Sequence, residues 1–190
     1  MNRPFIFEGL DGAGKTTLAK NVATYTGVNL ITRLSPDEDA KIKDLIKTKN
    51  ISVEEIHRLY MKATHSHLVD VVQPKIKSGD MFLIDRWIAG MLATHVLRKG
   101  ILADWTIQRY DWKPVKSLDC IFVRVSTKVR KQRAMARGTL TKTDKSSFST
   151  KAETVHLQFA QRLYRRVILI EATNFNKQEL LEETLQILKI

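Results

Sequence analysis

Gly9-Leu10-Asp11-Gly12-Ala13-Gly14-Lys15-Thr16 has the pattern G-x-x-x-x-G-K-[ST] and comes just after the apolar run Phe5-Ile6-Phe7. A strand feeding a glycine-rich turn and then a helix is the setting in which this pattern has a mechanism. The glycines let successive backbone N–H groups turn inward as an anion nest. Lys15 brings a positive charge to the β- and γ-phosphates of a nucleotide, and the Thr16 hydroxyl is placed to ligate Mg²⁺. The helix opening near Lys15 aims the positive end of its dipole at the same phosphates, with Leu18, Val22 and Ala23 at helical spacing behind it. The stretch predicts a P-loop and a nucleoside triphosphate as ligand.

Working outward, short apolar runs recur at Phe5–Phe7, Val28–Ile31, Met81–Ile84, Ile121–Val125 and Val167–Ile170, with helical patterns between them. Five nearly continuous apolar strands alternating with helices predict an α/β fold: three layers, with a five-stranded parallel sheet flanked by helices. A long helix is expected from Ser52, as N-cap with Glu55 three residues on, toward Lys77; Pro74 should end or kink it near Val72–Gln73. Asp104 to Lys116 reads as a loop with helical pieces. Gly138 to Thr150, about residues 138–150, reads as a mobile lid.

The 190 residues fit one domain, 1–190, with a substantial core. No apolar run is long enough to cross a bilayer, no signal peptide is visible, and the single cysteine, Cys120, fits a reducing interior, so a cytoplasmic protein is expected. Cys120 sits in an apolar run and reads as a small buried hydrophobe. The net charge of +12 suits either nucleic acid or phosphorylated small molecules. The basic residues are scattered, without an aromatic-interleaved stripe for stacking bases, which favours nucleotides over nucleic acid.

Other residues extend the site. The third strand ends in Asp85-Arg86, where a carboxylate can serve Mg²⁺ and a guanidinium can fork onto phosphate. Arg33 follows the second strand, at the carboxyl edge where open α/β sheets bind ligands. Arg130, Arg133 and Arg137 share one face of a helix leading into the lid. His65 and His67, two apart on a helix, point to nearly opposite faces and make no metal pair.

Together these stretches resemble the thymidylate kinases, a family of P-loop nucleoside monophosphate kinases. Phe7 to Thr17 is similar to the family's opening sequence, Leu30-Ile31-Thr32-Arg33 to its second-strand arginine segment, and Asp85-Arg86-Trp87 to its Asp-Arg-aromatic motif. Arg133 to Gly138 resembles the lid entry, and Ile170-Glu171-Ala172-Thr173 the final strand and adenine-side loop.

The resemblance implies ATP as phosphoryl donor, Mg²⁺ as cofactor and a homodimer. It implies ATP contacts from Gly9, Asp11, Gly12, Ala13, Gly14, Lys15, Thr16 and Thr17, with Arg133, Arg137 and Thr173 on the adenine and lid side. Thr16 and Asp85 would serve the metal. Asp11 would reach the acceptor sugar, while Arg33 and Arg86 would grip its 5′-phosphate. Gly12 stands where some members carry a P-loop cation, so the lid would supply one, with Lys142 the aligned residue beside Arg133.

The departures surround the acceptor base. Met61 and His65, with Tyr60 adjacent, align with the family's stacking aromatic and its base-binding arginine; Gly90 and then Ala93-Thr94-His95 replace a serine and Ala-Tyr-Gln. The expectation is γ-phosphoryl transfer from ATP to a deoxynucleoside 5′-monophosphate, dTMP foremost. The alternatives are a kinase with another base or a nucleoside acceptor, and a non-catalytic nucleotide-binding protein. A GTPase is disfavoured, because Asn176-Lys177-Gln178-Glu179 begins a C-terminal helix and no suitably placed D-x-x-G follows the P-loop.

Overall fold

In a computed structural model, residues 3–99, 108–136, 138 and 148–189 are described. Strands β1 (Phe5–Glu8), β2 (Asn29–Thr32), β3 (Phe82–Asp85), β4 (Asp119–Arg124) and β5 (Arg166–Glu171) form one sheet in the order β2-β3-β1-β4-β5. Every pairing is parallel. Each strand falls within two residues of its sequence-derived run, and the five-stranded parallel α/β architecture is the one expected.

The near-continuous apolarity of the strands is explained by two cores, one on each face. Ile6, Ile84, Cys120 and Phe122 point to one side, toward Met61, Leu68, Trp87 and Leu163. Phe5, Phe7, Leu83, Ile121 and Val123 point to the other, toward Leu18, Val22, Leu180 and Leu188. Alternation along each strand therefore fills both layers with apolar side chains. The first face is covered by α3 (Val53–His67), α5 (Ile88–Lys99) and α7 (Thr150–Leu163), the second by α1 (Lys15–Thr26) and α8 (Lys177–Leu188). Helices α2 (Pro36–Thr48), α4 (Gln73–Ser78) and α6 (Thr127–Ala136) complete the chain, with a 3-10 turn at Lys113–Ser117 before β4.

Helix ends follow their sequence signals. Ser52 caps α3 by accepting from the Glu55 amide at 3.1 Å. Asn176 and Glu179 form a reciprocal capping box on α8. Pro74 does not stop its helix. The chain widens into a π-helical turn at Leu68–Val72 just before it, with the Gln73 amide reaching back to Leu68 O, and continues as α4 to Ser78. The extra residue in that turn relieves the clash and the missing donor that proline imposes on an α-helix. Cys120 is fully buried, which raises its thiol pKa well above the ordinary value. Among the described residues, no helix is long and apolar enough to span a membrane.

Candidate active site

The register of the sheet assembles the site. β1 lies between β3 and β4, and Phe7 pairs with Asp85, so the P-loop and Asp85-Arg86 emerge side by side from the carboxyl edge. The Arg86 amide donates to Phe7 O at 3.1 Å, locking the two strand ends together. Arg86 adopts φ 65°, a left-handed conformation uncommon for a residue with a β-carbon. Its guanidinium bonds Asp11 Oδ1 at 2.8 Å, so the P-loop carboxylate and the strand-end arginine face the cleft as one unit.

The P-loop passes close beneath its neighbours. Gly9 has φ 135°, and a β-carbon there would lie 2.3 Å from Val123 O. Only glycine fits. Ala13 is buried and its amide donates to Leu10 O, while Thr16 is half-buried and Thr17 exposed. Lys15 Nζ donates to Leu10 O at 2.6 Å. Burial, assisted by the nearby Arg86 charge, pushes its pKa down to about 7 against the attraction of Asp11, Glu8 and Asp85. A buried ammonium with one carbonyl partner is poised to exchange it for phosphate oxygens.

A cleft of about 330 Å³ opens beside these groups, and its charged lining comprises Lys15, Arg33, Arg86, Asp11 and Glu8. Arg33 stacks its guanidinium 5.1 Å from the Tyr60 ring centroid, and its Nε is buried with no hydrogen-bond partner among the described residues. Asp85 Oδ1 is likewise buried and without a hydrogen bond among them. Among the described residues no group of three or more His, Cys, Asp or Glu could cage a metal. A lone carboxylate with the Thr16 hydroxyl instead suits Mg²⁺, which commonly takes most of its ligands from phosphates and water.

Glu8 sits under the cleft as the hub of a buried network. Its Oε1 accepts from the Trp87 amide at 3.1 Å and from the Tyr164 hydroxyl at 2.7 Å, and its Oε2 lies 3.0 Å from His156 Nε2. Burial alone would raise the carboxyl pKa. The hydrogen bond and charge of His156, the Tyr164 hydroxyl and Lys15 outweigh burial and hold it below the ordinary value. Gly90 makes room for this network: a β-carbon there would stand 3.1 Å from the His156 ring. It is where the resemblance led one to expect serine.

On the other side of the P-loop, Arg133 Nη1 donates to the carbonyls of Gly12 and Ala13 at 3.2 and 3.3 Å. Arg130 is buried, donating to Val125 O at 3.1 Å, and so serves the packing of α6. Thr173 lines a second groove with Ser126, Thr127, Arg130 and Glu153. Arg137, Lys142 and the lid residues 139–147 lie outside the described residues.

Two expectations about the acceptor side are not met. Met61 is buried in the core and His65 packs on Tyr110 and Trp112; neither lines the cleft. Tyr60 and Gly90, also expected on the acceptor side, do line it, and so do His57 of α3 and His95 of α5, which were not among the expected contacts. The periodicity offered a hint to His57, since it shares a face with Tyr60 at i, i+3. The His57 and His95 rings stack with centroids 3.9 Å apart. Burial, with the neighbouring His95 adding to it, pushes the His57 pKa down to about 4 and keeps that ring neutral at pH 7.

The sequence is similar to those of known proteins. A sequence profile described as thymidylate kinase matches residues 7–184. A thymidylate kinase of Geobacillus sp. is 26% identical over 90% of this chain and 89% of its own length. A probable thymidylate kinase of Pyrococcus horikoshii is 29% identical over 74% of this chain and 73% of its own. One from Xanthomonas euvesicatoria is 32% identical over 56% of this chain, and that match spans half of its length. With the profile spanning nearly all of the sheet and the P-loop, the chain belongs to the thymidylate kinase family.

Proposed function

We propose that this protein transfers the γ-phosphoryl group of ATP to dTMP, giving dTDP and ADP. The observation that carries the reading is the convergence of Lys15, Arg33 and Arg86 on one cleft that also receives the P-loop. Two of those cations stand outside the P-loop. They suit an acceptor that brings its own phosphate. The names of the relatives support dTMP as that acceptor.

The P-loop amides and Lys15 bind the ATP phosphates, with Lys15 giving up the Leu10 carbonyl. Arg33 and Arg86 fix the 5′-phosphate of dTMP, and Asp11, held by Arg86, faces the sugar. An oxygen of that phosphate then attacks the γ-phosphorus while the bond to ADP breaks. The protein's part is alignment and charge neutralisation, with no covalent intermediate. Thr16 and Asp85 are the residues that would hold Mg²⁺, which when bound would supply neutralisation of the phosphate charge. Arg133, which reaches the Gly12 and Ala13 carbonyls, neutralises charge from the other side of the P-loop, and the family resemblance adds Arg137 and Lys142 as further cations.

A nucleoside acceptor would need a general base at its 5′-hydroxyl. Glu8 is the candidate the sequence offers for that role, and both its oxygens are already engaged. The test is phosphorus NMR of the protein with Mg-ATP and dTMP. The β-phosphate of dTDP should grow as ADP forms. ADP with inorganic phosphate alone would refute transfer to dTMP.

A further inference from the structure

Two described residues other than glycine have positive φ, Arg86 at 65° and Lys189 at 56°. Lys189 is the C-cap of α8, where a left-handed residue is ordinary. Arg86 ends no helix. It lies between the last residue of β3, Asp85, and the first of α5, Ile88. A left-handed arginine is disfavoured by its own β-carbon and persists only where its surroundings over-determine it.

Here the surroundings are bonds to β1. The Arg86 amide donates to Phe7 O at 3.1 Å, just past the Phe7–Asp85 pair of the register. The following amide, that of Trp87, donates to Glu8 Oε1 at 3.1 Å, so a side chain of β1 takes over where the ladder ends. The Trp87 side chain is sunk in the core at 1% exposure. Glu8 is fixed in turn by His156 of α7 at 3.0 Å and by Tyr164, the C-cap of α7, at 2.7 Å. The peptide after Arg86 is therefore held by a carboxylate that is itself pinned. The turned residue carries the guanidinium that pairs with Asp11 and lines the cleft.

We propose that Glu8 is a positioning residue for Arg86: by accepting the Trp87 amide it holds Arg86 left-handed and so aims the guanidinium at the acceptor phosphate. With both its oxygens engaged, Glu8 acts through the backbone of the neighbouring strand and not on a substrate. Without the bond to Trp87 the turn relaxes toward an ordinary φ, and the guanidinium leaves its place beside Asp11. The proposal rests on the reading of Arg86 as a ligand of the acceptor phosphate.

The test is a double-mutant cycle, read by calorimetric titration of dTMP and of ATP at neutral pH. Arg86→Ala should weaken dTMP by about tenfold or more, as loss of a phosphate fork does. Glu8→Ala should weaken dTMP by about tenfold and ATP by less than about threefold. Added to Arg86→Ala, it should weaken dTMP no further. Glu8→Gln keeps a carbonyl oxygen for the Trp87 amide, so it should recover most of the dTMP affinity even though it lowers fold stability. Tyr164→Phe keeps the charge but loosens the carboxylate. It should weaken dTMP by about threefold, again only where Arg86 is present, and it carries the cycle if Glu8→Ala does not fold. Equal losses for dTMP and ATP, additive losses in the double variant, or no recovery with glutamine would each overturn the proposal. Unchanged dTMP affinity in Glu8→Ala would overturn it while leaving Arg86 on the acceptor side. Unchanged dTMP affinity in Arg86→Ala would remove Arg86 from the acceptor site, and the proposal with it.

Discussion

His156 Nε2 lies 3.0 Å from Glu8 Oε2, joining residues 148 apart in the chain inside the core. An ionised carboxylate can only accept, so the Nε2 atom carries the hydrogen of this bond. The contact ties α7, the helix that follows the lid segment, to the strand that launches the P-loop. Tyr164 and the Trp87 amide complete the hub, so β1, β3 and α7 share one buried charge.

Removing that charge should be costly. Glu8→Gln is expected to lower unfolding free energy by about 3 kcal/mol, the scale for breaking a buried pair, and Tyr164→Phe by about 1–2 kcal/mol. Urea titration measures both. The pH dependence has a definite sign. A carboxyl held below its ordinary value of 4.5 stabilises the fold fully above that pH, and the contribution fades as pH falls through the lower folded value. Glu8→Gln should therefore approach wild-type stability only in that acid range.

Lys15, with a pKa near 7 in the free protein, predicts proton uptake when a nucleotide binds. Phosphates favour the ammonium, so at pH 8 binding ATP should draw in about one proton and at pH 6 almost none. Titration calorimetry in buffers of different ionisation enthalpy measures this. Lys15→Ala should abolish the uptake along with nearly all phosphoryl transfer.

Arg33 and the P-loop should separate by substrate. Arg33→Ala is expected to raise the KM for dTMP by roughly 10–100-fold, leaving the KM for ATP close to wild type. A matching rise for ATP would remove Arg33 from the acceptor side.

Gly9→Ala should destabilise the protein by about 3 kcal/mol, from the strained φ and the contact with the Val123 carbonyl. The loss should appear in thermal unfolding, and nucleotide binding should weaken with it because the P-loop must shift.

The sheet was legible because each strand is a short apolar run, and the P-loop because its glycines and Lys15 are contiguous. Asp85-Arg86 was legible as a strand end, and the register then brings it beside Phe7. Glu8, His156 and Tyr164 left no comparable trace: their partnership depends on packing between distant segments. Of the residues expected on the acceptor side, Tyr60 and Gly90 line the cleft, whereas Met61 lies in the core, because apolar periodicity along α3 does not by itself say which side chains face a cleft. Pro74 was legible as an interruption near Val72–Gln73, and the structure gives it the form of a π-helical turn at Leu68–Val72.

The most direct test of the central claim is ADP release with Mg-ATP and a single acceptor at a time: dTMP, thymidine, dCMP or AMP. Turnover with dTMP should exceed that with each of the others, and thymidine should be silent. Turnover with thymidine and none with dTMP would contradict the assignment of Arg33 and Arg86 to an acceptor phosphate.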